Sequence, residues 1–388
     1  MSEEANGNDG TIKLQDPNEE LKPRVSITRV PEIVNRLYGL KVTETKELPS
    51  YDDLNFFVRV SGKWENTNIK SVVDTGYVLK VLNSLQSVQT EYIDAQFAMC
   101  DHVRERRIPT QIPIVNKNGE LRSLETFTDE DSGKQNGPYL IRLVTYVPGN
   151  IFHKTPYVPG SFYNIGKFVG KLHTALKGFH HKFYDDYSLI WSLKQLPVIH
   201  DFLHAVKDAE DVRVVKEITE AFEKHVVPKY PHFREGIIHG DVNEQNLIMT
   251  EVPDQVVSPD QRVHDVAALL DFADATHCYY VMDVAICIAY VSIESPDDLQ
   301  ADTGGHVLAG YFKACELNDV EFQSLKILVC ARLCQSLVFG AHSFAQQPEN
   351  TYLLTTSKRG WPLLHKLWKI NENELISRWR DIIRDYNQ

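Results

Sequence analysis

Ile237-Ile238-His239-Gly240-Asp241-Val242-Asn243-Glu244-Gln245-Asn246-Leu247-Ile248-Met249 sets a mostly polar octet between two short apolar runs. Such runs, bounded by polar residues, read as strands. The segment between them is then a loop that holds His239, Asp241 and Asn246 up from a firm base. A second apolar strand, Ala267-Ala268-Leu269-Leu270, delivers Asp271 at its end, followed by Phe272-Ala273-Asp274.

An aspartate that accepts a hydroxyl proton, an asparagine five positions later and a further strand-end aspartate make up the set that kinase-type phosphoryl transfer needs. They supply a base and two oxygen ligands for magnesium. The spacing from Asp241 to Asn246 matches the kinase pattern H-R-D-x-x-x-x-N, with Gly240 in place of the arginine. Singly, each has a plainer reading: Asp241 as a turn or cap residue, Asn246 as a turn residue, Asp271 as the polar end of a buried strand. Their joint appearance points to chemistry, with Asp241 as base, Asn246 and Asp271 as metal ligands, and His239 orienting the loop.

Upstream, Tyr77-Val78-Leu79-Lys80-Val81 is an apolar strand interrupted by one lysine. A buried ammonium demands anions, so Lys80 is expected to meet the phosphates, although an edge strand with Lys80 in water fits the same pattern. Its ion-pair partner is expected on the helix Thr90 to Glu105, as Asp94 or Glu91. The turn-rich loop Leu48 to Asn55 is a candidate phosphate cover. It contains no glycine, so Ser50, Asn55 and backbone amides would have to cradle the anion.

The remaining pattern divides in two. A helix from Pro31 to Leu37 capped by Gly39, strands near 41–45, 56–60 and 77–81, two strands around a Lys117-Asn118-Gly119 hairpin turn, and a buried strand from Tyr139 to Tyr146 make a small antiparallel sheet. The polar loop 128–137 reads as a hairpin tip. After Gly149 helical spacing dominates, over 161–179, 198–206, 212–226, 279–293, 304–315, 319–344 and 361–386. The expectation is an α+β, protein-kinase-like, two-lobed fold. A disordered tail over 1–24 precedes a sheet-rich nucleotide lobe, 25–147, and a mainly helical catalytic and substrate lobe, 148–388.

The chain has 388 residues, 43% hydrophobic and 24% charged, and a formal charge of -12. That charge, without a Lys/Arg-rich block, argues against a nucleic-acid surface. The acidic start lacks the apolar core of a signal peptide. Leu325 to Ala341, interrupted by Lys326, Arg332 and Gln335, reads as too short for a bilayer span, so no membrane partner and a cytoplasmic location are expected. The six cysteines show no paired spacing and read as reduced core residues. Cys330 and Cys334 lie one turn apart but lack a second ligand pair for zinc.

The motifs His239-Gly240-Asp241 with Asn246 and Leu270-Asp271-Phe272-Ala273-Asp274 resemble those of the aminoglycoside phosphotransferase and choline kinase superfamily. Longer stretches are similar to its hydroxylysine kinase family: Leu48-Pro49-Ser50-Tyr51-Asp52-Asp53, Tyr77-Val78-Leu79-Lys80, Arg142 through Gly149, and Gly305-His306-Val307-Leu308-Ala309-Gly310. The resemblance implies a nucleotide at a hinge near Thr145 to Val147 and phosphorylation of 5-hydroxy-L-lysine with magnesium and GTP, the usual donor, or ATP. One departure is the helix acid, where Asp94 stands in place of a longer glutamate. For the two ammonium groups of such a substrate, Glu244, Asp274 or Glu294 are candidates. Arg332, alone amid Leu328, Val329, Leu333 and Leu337, would hold its carboxylate or else form a structural ion pair, and Trp191 would wall the pocket. Rival readings are a kinase of choline, ethanolamine or homoserine, and a pseudokinase that binds nucleotide without catalysis. A protein kinase is disfavoured by the lack of an Ala-Pro-Glu segment after Asp271.

Overall fold

The computed structural model describes residues 22–50, 53–128, 133–346 and 355–388. Residues 1–21 of the expected tail, 51–52 of the phosphate-cover loop and 129–132 of the polar loop lie outside the described residues.

Helix α1 (Val30–Tyr38) carries Pro31 in its first turn and ends at Gly39, whose φ of 64° provides the left-handed cap. It packs against a sheet built from β1 (Leu40–Leu48), β2 (Leu54–Trp64) and β3 (Tyr77–Val81). A short α2 (Ser84–Ser87) and the longer α3 (Thr90–Glu105) follow. β4 (Pro113–Ile114), β5 (Ser123–Thr128) and β6 (Gln135–Thr145) complete an antiparallel sheet of order β1-β2-β3-β6-β4, with β5 also on β6. The expected hairpin around Lys117-Asn118-Gly119 does not form. Asn116 accepts the amides of Asn118 and Glu120 and closes a tight turn on itself, and β6 is long enough to pair with β4 and β5 in succession.

The second half begins with β7 (Asn150–Ile151), α4 (Pro159–Leu176) and α5 (Ala209–His225). Four short strands follow, β8 (Glu235–Ile238), β9 (Leu247–Glu251), β10 (His264–Leu269) and β11 (Thr276–Tyr279). They form two small sheets, β10-β9-β7 and β11-β8. The remainder is helical: α6 (Tyr280–Glu294), α7 (Thr303–Tyr311), α8 (Asp319–Gln346), α9 (Thr355–Lys369) and α10 (Glu372–Asp385). The helix expected over 361–386 is thus two, because Asn371 accepts the amide of Asn373 and starts α10 anew. The one expected over 198–206 is a tighter three-residue-per-turn segment, Leu193–Ala205, with Pro197 inside it.

The sheet-rich first half and helical second half are those of the expected α+β, protein-kinase-like fold. α4 and α7 touch backbone to backbone: a Cβ on Gly310 would come within 1.8 Å of the Tyr163 carbonyl oxygen. That explains a glycine at the end of the Gly305-to-Gly310 stretch. α8 runs 28 residues and, by length and composition, is long enough to cross a membrane, contrary to the shorter span expected. However, 83% of its most apolar window is buried within the fold, where it packs on α5, α6 and α9. All six cysteines are free thiols, five of them buried.

Candidate active site

The loop 239–246 does not close a hairpin, because β8 pairs with β11 while β9 pairs with β10. It bridges two small sheets and is fixed from beneath by α6. The His239 and Gly240 amides donate to Asp283 Oδ2 and Oδ1 at 3.1 and 2.9 Å. The His239 Nε2–H donates to the Leu270 carbonyl at 2.9 Å, while its Nδ1 accepts from the Asp241 amide. One imidazole therefore ties the Asp241 loop to the strand end that carries Asp271. Gly240 has φ 83°, and a Cβ there would lie 2.3 Å from the Asp274 carbonyl oxygen. No arginine fits at this position.

Asp283 was not anticipated, although a single carboxylate in the apolar run Tyr280-Val281-Met282-Asp283-Val284-Ala285-Ile286 is a legible signal. It is fully buried and also accepts from His173 Nε2 at 2.9 Å, with Tyr311 on the other ring nitrogen. Burial works to raise its carboxyl, but the His173 hydrogen bond, the His173 and His239 rings and the loop amides outweigh that and hold it below the usual range. A carboxyl depressed by folding contributes stability above its unfolded value, and that contribution fades as pH falls below about 4. Asp283→Ala leaves His173 and two amides without their acceptor, so a loss of about 3 kcal/mol or more is expected. Urea unfolding at pH 7 measures it, and the gap between variant and wild type should narrow on acidification.

Asp241 is engaged on both oxygens. Oδ2 accepts from Asn243 Nδ2 at 2.7 Å and Asn246 Nδ2 at 3.0 Å, and Oδ1 from Arg332 Nη2 at 3.0 Å. A carboxylate offers about four lone-pair sites, so Oδ1 keeps one for an acceptor hydroxyl. Burial lifts this carboxyl above the ordinary range, while Arg332 and then His239 oppose the rise.

Asn246 gives its amide nitrogen to Asp241 and keeps its oxygen for another partner. Its backbone carbonyl accepts the Leu270 amide at 2.8 Å, which sets it beside Asp271. Asp271 sits at φ 56°, a left-handed conformation rare outside glycine and often found at functional sites. Its side chain is exposed toward the cleft. Lys80, chiefly, holds its carboxyl below the usual range. An amide oxygen and a carboxylate side by side are hard donors that suit magnesium on a nucleotide, so these residues fit the ion. Among the described residues no cluster of three or more His, Cys, Asp or Glu side chains forms a metal site of its own.

Lys80 is 8% exposed on β3, directly across from Arg142 on β6 and Asn55 on β2. Lys80, Arg142 and Asp271 line one narrow cavity with Gln96 and Phe272. The helix acid expected beside Lys80 is elsewhere: Asp94 is half-exposed and pairs with Arg122 at 2.7 Å. α3 instead turns the buried Gln96 inward, where its oxygen accepts from Arg142 Nη1 at 3.0 Å. Glu91 lies on the exposed side of the same helix. The acids electrostatically coupled to Lys80 are Asp271 and Asp53. Asp53 accepts from the Asn83 amide at 2.8 Å. It too went unanticipated.

Ser50 donates to the Asp53 carbonyl and shapes this loop, and the buried side-chain oxygen of Asn55 has no partner among the described residues. At the hinge, the Thr145 hydroxyl accepts the Ile112 amide and the Tyr146 amide donates to Gly76. Val147, half-buried, makes no hydrogen bond among the described residues, which leaves its backbone groups available.

Around Asp241 the C-terminal half gathers Glu244, Glu294, Trp191 and Asp274. Glu294 accepts from Tyr157 at 2.6 Å and pairs with His153 at 3.0 Å. Burial, with Glu294 and Asp241 nearby, pushes the Glu244 carboxyl up to about 7. Asp274 is half-buried and electrostatically coupled to Tyr92, Tyr187 and Arg332. Arg332 does not open into the pocket as a carboxylate ligand would: it is 1% exposed, and its Nη1 donates to the Trp191 carbonyl and to Gln335. Its guanidinium also lies 5.3 Å from the ring centres of both Trp191 and Tyr290.

A two-lobed fold with this loop between its lobes is the architecture of a phosphotransferase, and the chain belongs to the APH phosphotransferase enzyme family, whose model matches residues 57–317. More particularly, it is similar to hydroxylysine kinase of Danio rerio, 36% identical over 374 residues that cover 95% of this chain and 99% of that one. Hydroxylysine kinase of Bos taurus is 34% identical over 369 residues, 94% of this chain and 95% of that one. In fold the chain is similar to a microcompartment-associated aminopropanol kinase, with TM-score 0.61 and 15% identity over 87% of this chain and 97% of that one. An amicoumacin kinase gives TM-score 0.60 at 14% identity, over 90% of this chain and 97% of that one. The chain is a small-molecule phosphotransferase with an alcohol group as acceptor.

Proposed function

We propose that this enzyme transfers the γ-phosphoryl group of GTP or ATP to the hydroxyl of 5-hydroxy-L-lysine. The observation that carries the chemistry is Asp241 with a spare lone pair on Oδ1, bonded to Asn246, which adjoins Asp271 beside Lys80. The acceptor rests on the hydroxylysine kinases that match this chain over most of its length.

In this reading the nucleotide lies between lobes 25–147 and 148–388. Its base meets the backbone of Thr145 to Val147, and its phosphates meet Lys80 under the loop that carries Ser50 and Asn55. Asn246 and Asp271 hold magnesium, which when bound neutralises phosphate charge. Asp241 orients the acceptor hydroxyl through Oδ1 and takes its proton as the new oxygen–phosphorus bond forms and the bond to the leaving nucleoside diphosphate breaks. Glu244 and Asp274 receive the ammonium groups, with Trp191 as a pocket wall.

A quaternary ammonium acceptor such as choline needs open aromatic faces. Trp191 and Tyr290 each carry Arg332 on one face, and Tyr279 carries Lys194 at 4.5 Å, so each ring has one face fewer for a second cation. Steady-state rates with magnesium and each nucleotide across hydroxylysine, choline, ethanolamine and homoserine test the assignment. Hydroxylysine should show the highest kcat/KM, and faster turnover of choline would refute the acceptor.

Glu244 gives this reading a pH signature. Its carboxyl ionises near 7, so the negative charge that attracts an ammonium group appears as pH rises through that value. The KM for the amino-acid acceptor should fall between about pH 6 and 8, and in Glu244→Gln that dependence should flatten. An unchanged profile in the variant would remove Glu244 from the pocket.

A further inference from the structure

We infer that Arg332 is a positioning residue for the catalytic carboxylate, a strut from α8 that aims Asp241 Oδ1 at the acceptor hydroxyl. The inference rests on the reading of Asp241 as base and adds to it a residue 91 positions away.

Three features separate this strut from an ordinary ion pair. First, the guanidinium is fixed on every side but one. Nη1 donates to the Trp191 carbonyl at 2.9 Å and to Gln335 Oε1 at 3.0 Å, and two aromatic rings lie 5.3 Å from its carbon. Gln335 is itself held by the Ile190 and Ser192 carbonyls. Second, the Arg332 side chain is 2% exposed while that of Asp241 is 22% exposed, so the pair is rigid at its inner end and open at its working end. Third, the bond goes to Oδ1, the oxygen not already taken by Asn243 and Asn246. The grip on Asp241 is one charge-assisted bond, Nη2 to Oδ1, from a guanidinium whose other terminal nitrogen is anchored in the core. The strut thus holds Oδ1 in place where it meets the acceptor hydroxyl.

The titratable and charged groups that face Asp241 are Arg332 from α8, His239 and Glu244 from its own loop, Asp271 just past β10, and Tyr290 from α6. Of these, Arg332 is the first to favour the ionised form.

The test compares Arg332→Gln and Arg332→Lys with Asp241→Asn in the full-length enzyme, using hydroxylysine and magnesium nucleotide. In Arg332→Gln, kcat should fall about tenfold or more through loss of aim, with the KM for nucleotide and for hydroxylysine unchanged. Arg332→Lys keeps a charged donor for Oδ1 without the planar guanidinium, so it should recover part of the lost kcat with the same KM values. If Arg332→Gln does not fold, the lysine variant alone decides. A wild-type kcat in Arg332→Gln, or in Arg332→Lys where the glutamine variant does not fold, overturns the inference, and so does a loss of kcat matched by an equal rise in the KM values, which leaves a structural ion pair. Near-normal turnover in Asp241→Asn overturns the base assignment itself, a different result from the first.

Discussion

Asp241→Asn is expected to lower turnover by about two to four orders of magnitude while nucleotide binding holds. The substitution removes the charge and most of the proton affinity but keeps an oxygen of the same shape. Asparagine is the better choice than alanine, because Arg332 is 1% exposed and its Nη2 would be left with no acceptor in an alanine variant. A buried guanidinium stripped of its partner destabilises the fold, and lost stability would then be mistaken for lost catalysis. With asparagine, the side-chain oxygen still receives Arg332, while the Asn243 and Asn246 side-chain amides lose the acceptor that Oδ2 gave them. The residues lining the cleft near Lys80 do not include Asp241, so titration calorimetry with magnesium nucleotide should give the wild-type affinity. Loss confined to kcat assigns Asp241 to the chemical step; equal loss of nucleotide affinity would show that the loop had collapsed.

The catalytic loop was legible in the sequence because its information is local. His239, Asp241 and Asn246 lie within one turn and are tied to one another or to the adjacent strand end. Apolar runs likewise announced α1, β3 and α3, and Gly39 announced the end of α1. The misses share a different cause: they concern what lies across the fold. Periodicity shows that α3 is amphipathic but not which of its polar residues faces β6. Charge drew attention to Asp94, whereas the side chain that turns inward is the neutral Gln96. Arg332 stood out as a single cation in an apolar helix, yet nothing in its neighbourhood in the chain names Asp241 as its partner. Asp283 carries the same kind of signal and was passed over, although a carboxylate amid Val281, Met282, Val284 and Ala285 must have donors in a dry core. The two backbone amides it receives belong to the loop itself. A buried charge in an apolar helix is therefore as useful a pointer to an active site as the motif at its surface.

Asp271→Asn should be as damaging as the loss of the base, and its signature should differ. Asp271 is held in a left-handed backbone conformation, φ 56°, at the end of β10, and its neighbour Leu270 is bonded through its carbonyl to His239. Asparagine tolerates that conformation better than most residues, so the fold should survive. What is lost is a negative charge that Lys80 helps to keep ionised. In the proposed reaction that charge holds one side of the magnesium site, and stabilisation of phosphate charge by such an ion is worth several kcal/mol, or about a thousandfold in rate. The loss should therefore depend on the metal: the magnesium concentration for half-maximal rate should rise in Asp271→Asn and stay put in Asp241→Asn. The Lys80 ammonium, deprived of its acid, retains Asp53 as a neighbour, so nucleotide without metal should bind the variant at least as well as the wild type. A variant with normal magnesium dependence and a merely lower kcat would instead place Asp271 outside the metal site, as a residue that only shapes the cleft around Lys80.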